Sequence, residues 1–156
     1  PCPEGPTAGP AELGVWITDR TGEGPFPRTL RLVPRSLILG IGCRRGTPEA
    51  AIAAAADAAL AGLAPEAVAG VATIDLKKDE AGLLAFCARR GLPLTTYSAE
   101  ALAAVAGDFT PSAFVRGITG VDNVCERAAA AAGGRIIVPK QADNGVTAAV
   151  ARKDTL

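Results

Sequence analysis

Leu37-Ile38-Leu39-Gly40-Ile41-Gly42-Cys43-Arg44-Arg45-Gly46-Thr47-Pro48-Glu49 decides the fold. Its first six residues are apolar or glycine without alternation, the pattern of a strand covered on both faces. Pro48 and Glu49 then open an alanine-rich stretch running to about Leu63. Proline suits the first helical position, Thr47 is placed to cap, and alanine has high helix propensity. A buried strand that turns through glycines into a helix begins a β-α-β unit, so the core domain is predicted to start at Ser36 and to run to Leu156.

Reading toward the C-terminus, Val68–Ile74 is expected to be a second strand, Asp79–Arg90 a second helix closed by Gly91, and Leu94–Tyr97 a third strand. Ser98 starts a short helix. After the turn-like Thr110-Pro111, Ser112–Arg116 reads as another short helix, and Asp122 as the cap of a longer one reaching Gly133-Gly134. Ile136-Ile137-Val138 and Val146–Ala151 are final strands separated by a polar loop, Lys140–Gly145. Strands alternating with helices predict an α/β fold, a mostly parallel sheet with helices on both faces and a terminal antiparallel pair. There is no internal repeat.

Reading toward the N-terminus, Leu13–Thr18 and the alternating Thr29–Val33 look like strands flanking a turn-rich segment. Residues 1–12, rich in proline, glycine and glutamate, read as a linker. Residues 1–35 are therefore expected to be a linker and a β-hairpin extension placed before the core domain.

Composition excludes several functions. Of 156 residues, 49% are hydrophobic and 21% charged, as in soluble globular proteins, and Lys plus Arg equal Asp plus Glu at 16 each. No global field draws the chain to nucleic acid or an anionic membrane. No apolar run approaches the roughly 20 residues of a membrane span, and the N-terminus lacks the pattern of a signal peptide, so a cytoplasmic location is expected. Cys2, Cys43, Cys87 and Cys125 form no CxxC pair, and there is no histidine. No metal site and no cofactor held by protein side chains is expected, and proton transfer falls to carboxylates, Lys, Cys or water.

Four segments near strand ends carry candidate chemistry. In the first, Gly40, Gly42, Gly46 and Thr47 shape a strand-to-helix turn whose free amides attract anions, with Arg44 and Arg45 adding positive charge. It lacks the lysine and hydroxyl pair of a P-loop, and its glycines miss the GxGxxG spacing. The alternative is a plain tight turn with solvated arginines. Cys43 reads as a small core residue, although helix-start amides would lower its pKa if it were reactive. In the second segment, Lys77 is placed to hold a carboxylate and Glu80 to exchange protons, against an alternative of ordinary helix-start charges. In the third, Asp122 reads as a cap, with Glu126 one turn on as a second acid. In the fourth, Lys140, at a strand end, either shares this edge or is a solvated loop lysine.

Taken in order, GIGCRRGTPEA, IDLKKDEAGLLAF, PLTTYSAEAL, TPSAFVRGITGVDNVCERAA and VPKQADNGVTAAVA resemble the C-terminal domain of the cobalamin-biosynthesis protein CbiG, to which the stand-alone CobE is related. The resemblance runs from about Ser36 to Arg152, and GVWITDRTGEGPFPRTLRLVPRSL is similar to the segment joining CbiG's middle region to that domain. It implies part of a cobalt-precorrin-5A hydrolase, which opens the ring-A lactone of a corrin precursor and releases acetaldehyde, with any cobalt carried by the substrate. A non-catalytic module that binds or delivers the intermediate, and a domain that only supports another, are the alternatives. Nothing here is similar to CbiG's N-terminal domain, and the absence of methionine fits an excised domain; that missing domain and neighbouring pathway enzymes are the implied partners. From position rather than from the family, Glu80 or Glu126 would activate water, Lys77 or loop amides would hold the oxyanion, and Arg44, Arg45, Lys77 and Lys140 would grip the substrate's carboxylates.

Overall fold

The computed structural model describes residues 11–110 and 120–154, so all but the last two residues of the linker expected over 1–12, and the helix expected over Ser112–Arg116, lie outside the described residues. The quoted run forms β3 (Leu37–Cys43), the central strand of a five-stranded sheet. Around it stand β4 (Val68–Ile74), β5 (Leu94–Tyr97), β6 (Arg135–Asp143) and β7 (Val146–Arg152), in the order β5-β4-β3-β7-β6. β3, β4 and β5 are parallel; β7 runs against β3, and β6 against β7. Four of the five strands therefore point the same way, and the α/β architecture is as expected.

Period-two alternation sorts the strand residues between two helical layers. Leu37, Leu39 and Ile41 pack with Ile52 of α1 (Glu49–Ala59) and with Leu83 and Phe86 of α2 (Ala81–Arg90). Ile38, Ala72 and Ile74 pack with Leu102 of α3 (Ala99–Ala103) and with Val124 and Ala128 of α4 (Val124–Gly133). Each large side chain fully buried here contributes about 1.5–3 kcal/mol. Glycine sets the closest approach: a methyl group at Gly40 would overlap the carbonyl oxygen of Cys125 and press on Ala129. Gly133, at the other end of α4, lies against Ile38. Helix α4 thus runs against β3 and presents its N-terminus at the edge where β3 ends.

Several local expectations are corrected. α1 stops at Ala59, and Pro48 rather than Thr47 occupies the capping position; the Thr47 hydroxyl donates to the Arg44 carbonyl at 2.8 Å instead. α4 is capped by Asn123, whose Oδ1 accepts from the Glu126 amide at 3.1 Å, because Asp122 is drawn into an ion pair with Arg127 at 2.9 Å. The loop expected over Lys140–Gly145 is mostly strand. β6 continues to Asp143, and the turn is only Asn144-Gly145, both at positive φ (47° and 79°) as a two-residue hairpin turn requires.

The extension is not a hairpin. β1 (Leu13–Ile17) and β2 (Arg28–Leu32) pair in parallel. The ten-residue connection is long enough to bring the chain back to its starting end, where Arg28 donates to the Glu12 carbonyl at 2.8 Å and Phe26 folds onto Gly14. The ribbon is tied to the core through Asp19. Its carbonyl accepts from Ala64 at 2.7 Å, and its carboxylate takes Arg152 in two bonds, at 2.5 and 3.0 Å.

Candidate functional site

Neighbouring parallel strands end at the same edge, which puts the loop after β3 beside the turn after β4. The loop Arg44-Arg45-Gly46 leads into α1, and a short 3-10 turn, Asp75–Lys77, precedes α2. Glu80 joins them. It stands at the cap position of α2 without capping that helix; its Oε1 accepts from the Gly46 amide at 2.6 Å, and its Oε2 lies 3.9 Å from the Lys77 ammonium. Both side chains of this pair are largely covered. Gly82 brings α2 against the Thr47 carbonyl, closely enough that a side chain there would overlap it.

Arg44, Arg45 and Gly46 are exposed, and neither arginine is ion-paired among the described residues. Arg44 runs along the β6–β7 turn beside Gly145. Gly46 has φ of 75°, a conformation that favours glycine. Gly40 and Gly42 play a different part: they are spacers inside the sheet, Gly40 under α4 and Gly42 beside the Thr147 hydroxyl, which donates to its carbonyl at 3.4 Å. Thr47 is buried and its hydroxyl is taken up within its own loop.

Glu126 and Lys140 form a second cluster. The Glu126 side chain is buried, at 2% exposure, and its oxygens accept from the Thr110 amide (2.9 Å), the Thr110 hydroxyl (2.9 Å), Asn123 Nδ2 (2.7 Å) and the Lys140 amide (2.6 Å). Asn123 Nδ2 also donates to the Thr110 carbonyl at 2.8 Å. Four donors around one carboxylate suit it to holding the start of α4, Thr110 and β6 together. Thr110 and Asn123 had not been singled out as site residues; the signal was there in Asn123-Val124-Cys125-Glu126, a polar cap followed three residues later by an acid.

Among the described residues, burial disfavours the thiolate at each cysteine. Burial raises the Cys43 pKa, opposed by the Lys77 ammonium and assisted by the Glu80 carboxylate, so the expected lowering by helix-start amides does not prevail. Burial carries Cys87 and Cys125 up to about 11. Among the described residues no three His, Cys, Asp or Glu side chains gather where they could hold a metal ion, and no helix is long and apolar enough to cross a membrane.

The starts of α1, α2 and α4 therefore converge on one sheet edge, with Arg44 and Arg45 in front of them. A cleft of about 660 Å³ opens at the opposite end, between the ribbon and the core, lined by Thr18, Asp19, Arg20, Ser36 and Arg152 among others. Its Asp19 and Arg152 are already paired, and among the described residues no long helix begins there, so the strand-end edge is the better anion site.

Known proteins share this sequence pattern and fold. Residues 37–151 match the family described as cobalamin synthesis G C-terminus. Over 123 residues the chain is 38% identical to the cobalt-precorrin-5A hydrolase of Salmonella typhimurium, covering 76% of this chain but only 34% of that protein. It therefore spans about a third of that relative's length. The crystal structure of CobE, a protein of the cobalamin pathway, superposes with a TM-score of 0.69 at 31% identity, covering 75% of this chain and 89% of CobE. A cobalamin biosynthesis protein G homologue from Sulfolobus solfataricus shares the fold, with a TM-score of 0.62 at 21% identity over 90% of this chain and 44% of that one. With residues 37–151 matched and 31% identity to CobE over 89% of its length, the chain belongs to the cobalamin synthesis G C-terminal family.

Proposed function

We propose that this domain grips a corrin-ring intermediate of cobalamin biosynthesis by its peripheral carboxylates, and that the hydrolysis of cobalt-precorrin-5A, for which the Salmonella relative is named, draws reacting groups from chain beyond this domain. The observation that carries the proposal is the division of labour at the strand-end edge: Arg44 and Arg45 are exposed and unpaired among the described residues, whereas both candidate bases are engaged by protein donors. Corrin precursors are broad macrocycles fringed by carboxylates, whose recognition needs separated cations and amides more than a deep pocket. In this reading Arg44 and Arg45 contact the substrate. Lys77 and Glu80 hold the loop that carries them, and Glu126 holds the start of α4. Any cobalt arrives with the ring as part of the substrate.

The delivery-module alternative has one observation in its favour: CobE is matched over 89% of its length, so a protein of little more than this core exists on its own. An assay of acetaldehyde release from cobalt-precorrin-5A separates the two. The isolated chain is expected to bind the substrate and release no acetaldehyde, and release at the rate of the Salmonella enzyme would overturn the proposal.

A further inference from the structure

The β1–β2 ribbon turns one face to solvent. On it lie Leu13, Val15 and Ile17 from β1 and Leu30 and Leu32 from β2, all between 45% and 68% exposed. The register sets Val15 opposite Leu30 and Ile17 opposite Leu32, so two adjacent rungs are wholly apolar. The other face is occupied by the Phe26 ring against Gly14 and by Arg31, which pairs with Glu66 at 3.3 Å. Single exposed aliphatics are ordinary, but a contiguous group of five marks a docking surface. The strand arrangement strengthens this, because parallel strands are normally covered on both faces and two strands alone are too few for independent stability.

We infer that this face is the seat of a second folded unit of the same polypeptide in family members longer than this chain, a unit that presents its own apolar surface to the ribbon. CobE corresponds to 75% of this chain, about the share supplied by residues 37–151 alone. The Sulfolobus protein corresponds to 90%, more than residues 36–156 can supply, so its match runs into the extension, and more than half of that protein remains to cover it. Part of the extension thus has a counterpart where additional chain is present. The ribbon is also a fixed platform, anchored by the Asp19–Arg152 pair and the Ala64–Asp19 bond. A second copy of this chain is the weaker occupant. The face offers five side chains, against the roughly 20–30 residues a side of a stable interface between separate proteins. A tethered unit needs far less, since the linker supplies a millimolar-order effective concentration. The inference rests on family membership and not on the corrinoid reading.

The test compares hydrogen exchange at residues 13–17 and 28–32 in the isolated chain and in a chimera, in which the chain replaces the matched third of the Salmonella hydrolase together with the stretch before it that takes the ribbon's place. Exchange is expected to slow at least tenfold in the chimera. Val15→Glu with Leu30→Glu should restore fast exchange there while leaving the isolated chain's melting temperature and corrinoid titration unchanged. Equal exchange in the two proteins would overturn the inference. So would protection that rises with the concentration of the isolated chain, which would give the face to a second copy, or unfolding of the isolated double variant, which would make the face part of its core. Corrinoid binding is read separately, so loss of either reading leaves the other standing.

Discussion

The Glu80 carboxylate accepts the Gly46 amide at 2.6 Å across 34 residues of sequence. A residue placed to cap its own helix instead braces the neighbouring loop, and with Lys77 it fixes the segment that presents Arg44 and Arg45. Glu80→Ala should therefore free the loop and cost about 1.5–3 kcal/mol, the range of a hydrogen bond to a charged group, whereas Glu80→Gln keeps an acceptor and should cost about half as much. Denaturant melts check the order. In corrinoid titrations the alanine variant should also bind more weakly than the glutamine variant; equal loss would point to the charge itself as the ligand-facing feature.

Gly82→Ala tests the same junction from the backbone side. Its methyl group would overlap the Thr47 carbonyl oxygen, and neither atom can swing away as a flexible side chain would. A loss of about 1–3 kcal/mol with an unchanged m-value is expected, as for other overpacked contacts. A variant as stable as the parent would show that α2 and the loop are not in contact in solution.

The Cys43 thiol reports the local charge balance. Burial raises its pKa first, Lys77 lowers it and Glu80 raises it, because a nearby anion disfavours the thiolate and a nearby cation favours it. The pH at which alkylation of Cys43 reaches half its limiting rate should thus fall in Glu80→Gln and rise in Lys77→Met. An unchanged profile in both variants would place the Lys77–Glu80 pair away from Cys43.

Much of this arrangement was legible in the sequence, for identifiable reasons. β3 and β4 are continuous apolar runs, Gly91 closes α2 at φ of 63° as a C-terminal glycine should, and Ser98 caps α3 by accepting from Ala101 at 3.1 Å. The parallel pairing of β1 and β2 was not legible, since alternation identifies a strand but not the direction of its partner. The close approaches at Gly40 and Gly82 were hidden as well: a glycine reads as a turn former until the opposing backbone is known. The Asn144-Gly145 turn is masked by the polar residues before it, because Gln141 and Asp143 belong to an edge strand and face water. The roles of Glu80 and Glu126 depend on partners far along the chain, which spacing alone does not disclose.

Glu126 illustrates the cost of such a hidden role. Glu126→Ala would leave the Thr110 and Lys140 amides without their acceptor, and Asn123 Nδ2 with the Thr110 carbonyl alone, at about 1–3 kcal/mol for each donor that water does not reach. A net loss of about 3 kcal/mol or more is expected in chemical denaturation. A loss below about 1 kcal/mol would mean that the carboxylate is solvated.

The central claim is that Arg44 and Arg45 bind a carboxylate-fringed corrin ring, and it is tested most directly by an absorbance titration of cobyrinic acid, with its free side-chain carboxylates, against the chain and its Arg44→Ala/Arg45→Ala variant. The double substitution should weaken binding by about 1–3 kcal/mol, roughly 5- to 150-fold, and flatten its dependence on salt, while a corrinoid with amidated side chains should bind both proteins equally weakly. Equal affinity of the two proteins for cobyrinic acid would contradict the claim and remove the arginines from the site.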